Sequence, residues 1–198
     1  MEEMRESGGR PRGRLWRTVY WSAAAILLLI PWIAMRFTDE VVWTAFDFFV
    51  MGALLAGVGL AFELAERLSS NAAYRRAVGI ALAAAFLLIW VNGAVGIIGS
   101  ENNRASLMFF GVLAVATVGA AAARSKPRGM ARALFVTALA QVSVAVIALV
   151  ARFGAGSENW PMDVLSLTAF FTGLWLTSAC LFLEAARAES RTGERSGL

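Results

Sequence analysis

Six runs of about 20 mostly apolar residues, separated by short polar connections, constrain this chain more than any other feature. They run approximately Leu15–Met35, Val41–Leu64, Ala77–Ile98, Ala105–Ala123, Ala131–Phe153 and Val164–Ala186. At about 1.5 Å per residue, each can cross a hydrocarbon layer of about 30 Å. Lipid offers the backbone no hydrogen bonds, so spanning segments must be helices or strands of a closed barrel. A barrel would show alternating segments of about 10 residues, and these runs do not alternate. The expected fold class is therefore all-α, a polytopic membrane protein with six transmembrane helices. Composition agrees: 59% of residues are apolar and 16% charged, against roughly 45–50% and a quarter in soluble chains.

Basic residues give the expected orientation. The N-tail carries Arg5, Arg10, Arg12, Arg14 and Arg17, and the second connection Arg67, Arg75 and Arg76. The fourth connection adds Arg124, Lys126, Arg128 and Arg132, and the C-tail Arg187, Arg191 and Arg195. Fifteen cations thus fall on one side, against Arg36, Arg104 and Arg152 on the other. The positive-inside rule places the richer side, with both termini, in the cytoplasm, as an even number of spans requires. The first run leads into Pro31, Trp32 and Arg36 without a small-residue cleavage site, so it reads as a span and not a signal peptide. Trp16, Tyr20, Trp21 and Tyr74 fall at the inner interface and Trp32, Trp43 and Trp160 at the outer; Trp90 and Trp175 read as packing residues. Residues 1–14 and 188–198, rich in Arg, Glu, Gly and Ser, are expected to be disordered tails around a bundle at 15–187.

The outer connections repeat. Gly99-Ser100-Glu101-Asn102 recurs as Gly156-Ser157-Glu158-Asn159, and the same shift superposes Arg75 on Arg132. Thr38-Asp39-Glu40 takes the equivalent place in the first pair of spans. The chain is expected to form three pseudo-repeated helical hairpins, at 15–74, 75–130 and 131–187. Pairs of small residues four apart mark close helix approaches: Gly52 and Ala56, Ala53 and Gly57, Ala116 and Ala120, Gly119 and Ala123. The Ala-rich fourth span is the expected central helix.

What is missing narrows the chemistry. The sequence has no histidine, which excludes His-ligated metal, a Ser-His-Asp triad and the HExxH helix. The one lysine, Lys126, lies in a basic loop, unlike the desolvated lysine of a Schiff base. The one cysteine, Cys180, allows no intrachain disulfide and reads as a small packing residue. The expectation is no enzyme, cofactor, metal or nucleic acid. The expected partners are the bilayer itself, anionic headgroups at the basic cytoplasmic loops, and a further copy of the chain or another membrane protein.

Polar residues inside spans are functional candidates by default. Asp47 and Asn92 are expected about 9–10 Å below the outer ends of their spans, and Gln141 near the middle of the fifth. Arg36 and Arg152, at outer helix ends, can turn inward toward Asp47. Together these five form a candidate polar cluster. One reading is a site for a proton, a cation or a small ligand; the other is a set of interhelical bonds that fix register.

Three stretches carry a resemblance. They are Pro31-Trp32-Ile33-Ala34-Met35-Arg36-Phe37-Thr38-Asp39-Glu40 with Trp43-Thr44 and Asp47-Phe48, Trp90 to Gly99, and Pro127 to Leu134. Through them the chain resembles a family of small bacterial multi-pass integral membrane proteins to which no activity is attached. The resemblance implies a bacterial inner-membrane location and transfers no site residue. The leading expectation for function is a non-enzymatic accessory or scaffold subunit. The alternative is a small transporter or channel using Asp47 and Asn92.

Overall fold

The computed structural model describes residues 11–94, 104–157 and 159–196. Among these, every regular element is helical and none is a strand. The elements are α1 (Pro11–Ala34), α2 (Ala45–Leu68), α3 (Ala72–Ala94), a 3-10 turn (Arg104–Leu107) leading into α4 (Met108–Ala123), α5 (Pro127–Val150) and α6 (Met162–Ser196). Six helical stretches are long and apolar enough to cross a membrane, one for each expected span.

Local chemistry sets the helix ends. Pro11 and Pro127 occupy first positions, where a missing N–H costs nothing. Asn71 caps α3: its Oδ1 accepts from the N–H of Ala73 at 2.9 Å and of Tyr74 at 3.4 Å. α3 thus begins at Ala72, before the charged pair Arg75–Arg76, and not at the first fully apolar residue, Ala77. α4 ends where Arg124 and Ser125 turn left-handed, with φ of 47° and 61°.

The tails differ from expectation where they are described. α1 already includes residues 11–14, and α6 continues to Ser196 through most of the segment expected to be disordered. The physical reason lies in Glu184, Ala185, Ala186, Arg187 and Ala188: strong helix formers with opposite charges three apart, which carry a helix beyond its apolar stretch. Residues 1–10 and the repeat Gly99-Ser100-Glu101-Asn102 lie outside the described residues, as does Glu158.

Contacts divide the chain into two compact units, residues 1–60 and 61–198. In the first, Met51, Leu55 and Gly59 form a buried i, i+4 stripe on α2. The Tyr20 hydroxyl of α1 donates to the Leu55 carbonyl at 2.6 Å, and the rings of Tyr20 and Trp21 lie over Gly59.

In the second unit the helices are arranged α3–α6–α5–α4, with α6 packed on both α3 and α5, and α5 also on α4. The central helices are therefore α5 and α6, not the Ala-rich fourth span. The cause is side-chain size: α6 carries Phe171, Trp175 and Phe182, all fully buried, and such bulk needs neighbours on two sides. An Ala-rich helix can approach one neighbour closely but has little with which to fill two interfaces. α3 and α4, expected as a hairpin, meet only sparingly.

The α5 and α6 cores repeat in heptads. Ala131, Leu134, Ala138, Gln141, Ala145 and Ala148 are buried on α5, and Val164, Thr168, Phe171, Trp175, Ser178, Phe182 and Ala185 on α6. Alternating spacings of three and four are the pattern of 3-4 ridge packing. About a quarter turn around α5, Ala133 and Thr137 are buried instead, and Ala133 faces Gly119 of α4. The other side of α5 is apolar and exposed, with Leu139 68% and Val150 80% accessible. Such a face suits lipid, where leaving it exposed costs nothing. Cys180 also lies on an exposed face and does not fill the core; Trp175 packs inside as expected, while Trp90 is 39% accessible.

Candidate functional site

The five polar residues singled out by the sequence fall in both units, and each has its own local setting. In the first unit, α2 begins at Ala45, which places Asp47 in its first turn. There the carboxylate Oδ2 accepts from the Thr44 backbone N–H at 2.7 Å and from the Thr44 hydroxyl at 2.7 Å. The Asp47 N–H donates back to Thr44 Oγ1 at 3.3 Å. This is a capping box, with two otherwise orphaned N–H groups satisfied reciprocally. The apolar Val41-Val42-Trp43 reads as span in the sequence but precedes the cap, so Asp47 sits shallower in its helix than Val41 would have placed it. The Arg36 guanidinium lies 5.3 Å from the Trp32 ring centroid, a cation–π contact one turn back along the chain.

Replacing Thr44 with Ala is expected to cost about 1 kcal/mol through loss of the cap, and Asp47→Ala is expected to destabilise in the same direction. Asp47→Asn keeps an acceptor and should recover most of it. Thermal melts of the detergent-solubilised protein check both. A destabilisation as large for Asn as for Ala would show that the charge, and not the cap, is what matters.

In the second unit, Asn92 near the end of α3 is buried, and its Nδ2 donates to the Ser106 carbonyl at 3.1 Å. That bond ties the end of α3 to the 3-10 turn before α4, although the two helices pack little. Arg152, in a left-handed turn at φ 55°, lies 5.8 Å from the Trp160 ring centroid. Asp47, Asn92, Arg36 and Arg152 thus each engage a partner close by, although Asn92 Oδ1 and the Ser106 hydroxyl are buried without a hydrogen-bond partner of their own.

Gln141 is different. It is fully buried at a core position of α5, and neither its Nε2 nor its Oε1 has a hydrogen-bond partner. Trp175 Nε1 and the hydroxyls of Thr168 and Thr172, all on α6, are also buried without one. Several other helical hydroxyls behave otherwise. Those of Thr117, Thr137, Ser143, Ser166, Thr177 and Ser190 each donate to the carbonyl four residues earlier, and Ser178 donates across to the Ala77 carbonyl of α3 at 2.6 Å. A buried group left unpaired costs about 1–3 kcal/mol, so several in one helix pair call for a reason. The sequence flagged Gln141 as a polar residue in a span. The companions on α6 were missed, although Thr168, Thr172 and Trp175 follow the i, i+4, i+7 spacing of one helical face.

Among the described residues, no group of three or more Cys, Asp or Glu side chains converges in a way that could hold a metal ion. Comparison with protein-family models, curated proteins and solved structures gives no match to this chain. The resemblance to small bacterial membrane proteins therefore stands on its quoted residues alone.

Proposed function

We propose that the chain is a multi-pass protein of the bacterial inner membrane, with both termini cytoplasmic, that works by association as a non-enzymatic accessory or scaffold subunit. The observation that carries this reading is the setting of Asp47. The one acid assigned by the sequence to the interior of a span is engaged in capping its own helix, a setting that favours a structural role over a transport one. Asn92 has a similar role in joining α3 to the turn before α4. A transporter or channel built on Asp47 and Asn92 would need those side chains to exchange partners during turnover.

The cation bias and the even number of spans support the orientation. The Arg75–Arg132 and Gly-Ser-Glu-Asn matches support an internal duplication of the sequence, although α3 and α4 do not pack as a close hairpin, while basic residues at the cytoplasmic ends favour anionic headgroups there. Two measurements test the reading. Green fluorescent protein fused to either terminus is expected to fluoresce, and alkaline phosphatase at the same places to be inactive; the opposite result at one terminus would break the topology. Native mass spectrometry from membranes is expected to find the chain in a complex, either with itself or with another membrane protein. A solitary monomer throughout, together with ion or solute flux in proteoliposomes that Asp47→Asn abolishes, would replace the scaffold reading with the transport one.

A further inference from the structure

We propose that Gln141, Trp175, Thr168 and Thr172 form an internal hydration site, holding ordered water between α5 and α6 near the middle of the membrane. The site rests on the packing of these two helices and not on the scaffold role.

The two helices run antiparallel. Their outer ends are joined by residues 151–161, and at the inner ends the Arg128 guanidinium donates to the Ser190 hydroxyl at 3.2 Å. Depth along them can therefore be counted from both ends. Gln141 lies nine residues from Val150, about 14 Å inward. The same count from Met162 reaches Phe171. Counted from the Arg128–Ser190 contact, the level of Gln141 corresponds to Thr177. Thr172 and Trp175 fall within that window, with Thr168 one turn nearer the outer end. Gln141, Thr168 and Trp175 also occupy core positions of the heptad pattern, so all three belong to the packed interior.

The unpaired atoms describe their ligand. The indole N–H can only donate, Gln141 Oε1 can only accept, the Gln141 amide nitrogen donates, and each hydroxyl does both. A partner for this set must donate and accept in several directions. It must also be neutral, because α5 has no ionisable residue between Arg132 and Arg152, nor does α6 between Asp163 and Glu184 apart from the exposed Cys180. It must be small, because Ala138 and Ala145, the seam neighbours of Gln141, are themselves buried. Water meets all three conditions, and a buried water typically makes two to four hydrogen bonds to groups of this kind.

The experiment uses the full chain in lipid nanodiscs. Pulsed X-ray radiolysis generates hydroxyl radicals from water already bound beside a side chain, so Trp175 is expected to be oxidised despite its burial. Gln141→Leu should reduce that oxidation severalfold and lower the melting temperature, since it strands the indole N–H and the threonine hydroxyls. Absence of oxidation at Trp175 in the wild-type protein would overturn the proposal. So would a higher melting temperature for Gln141→Leu, the result expected if the amide were simply an unpaired group relieved by an apolar replacement of similar shape. If Gln141→Leu does not fold, Thr168→Val, with the same loss of labelling or none, decides in its place.

Discussion

Gly119→Leu is expected to destabilise the second unit by about 2–3 kcal/mol, the cost of forcing extra carbons into a packed interface. A Cβ at Gly119 would lie 2.7 Å from Ala133 Cβ and 3.3 Å from Ala133 Cα, so the obstruction is partly backbone and cannot rotate away. Further along the same pair of helices, a Cβ at Gly129 would meet Ala123 at 2.9 Å, with its Cα at 3.1 Å and carbonyl oxygen at 3.3 Å. Gly119 and Ala123 on α4 thus oppose Ala133 and Gly129 on α5, each pair four residues apart. Small residues on both sides let the two backbones approach, and between helices in lipid that approach is itself the source of attraction. Adding a side chain both creates a clash and removes dispersion contacts along the neighbouring turn. Gly52→Ala is the control, because nothing lies within 4 Å of a Cβ there, and the alanine should be neutral or gain up to about 1 kcal/mol of helix stability. Equilibrium unfolding in mixed SDS micelles checks both substitutions. Equal losses at Gly119 and Gly52 would contradict the assigned packing, and would point to a second copy of the chain seated on α2. Gly119→Leu combined with Gly129→Leu should cost less than the sum of the two, since the first already separates the shared interface.

That contrast shows where sequence reading reaches its limit. Gly52 with Ala56 and Gly119 with Ala123 carry the same spacing, yet a Cβ at Gly119 meets a neighbouring helix backbone and one at Gly52 meets nothing within 4 Å. Spacing reports that an approach is permitted, whereas the partner depends on how bulk is distributed along the other helices. The spans themselves were legible because hydropathy over about 20 residues reflects the solvent around them. Helix ends were less so. Thr44 and Asp47 spell out a capping box, but the apolar residues before Thr44 conceal it; Asn71 begins α3 ahead of two arginines that hydropathy excludes. The order α3–α6–α5–α4 was not legible, since adjacency in sequence favours pairing α3 with α4. Gln141 could be picked out as polar within a span, but its lack of a partner depends on where every neighbouring side chain points.

Phe182→Ala is expected to cost about 3 kcal/mol and to loosen α3 from α6. In a water-soluble protein the loss would include the transfer of an aromatic ring from water. Here the less ordered state can leave the ring in lipid, which is as apolar as the core, and that part of the cost disappears. The cavity remains. With about 100 Å³ unfilled at about 24 cal/mol per Å³, it contributes roughly 2.4 kcal/mol. Phe182 is fully buried and meets Tyr74 of α3 edge-on, with ring centroids 5.1 Å apart and planes at 82°; such pairs contribute about 0.5–1.5 kcal/mol beyond burial. Tyr74 lies in the first turn of α3, where Asn71 Nδ2 also donates to the Ala185 carbonyl of α6 at 3.4 Å. Losing the ring therefore weakens the place where the start of α3 is held. Phe135, 38% accessible on α5, is the comparison: Phe135→Ala removes the same atoms but opens a groove that lipid can fill, with no closed cavity, and should cost clearly less than Phe182→Ala. Melting in nanodiscs gives the two stabilities, and hydrogen exchange at residues 72–78 reports the docking of α3. Faster exchange there in Phe182→Ala but not in Phe135→Ala is the expected outcome. Equal losses for both would mean that the exposed side of α5 is covered by protein and not by lipid.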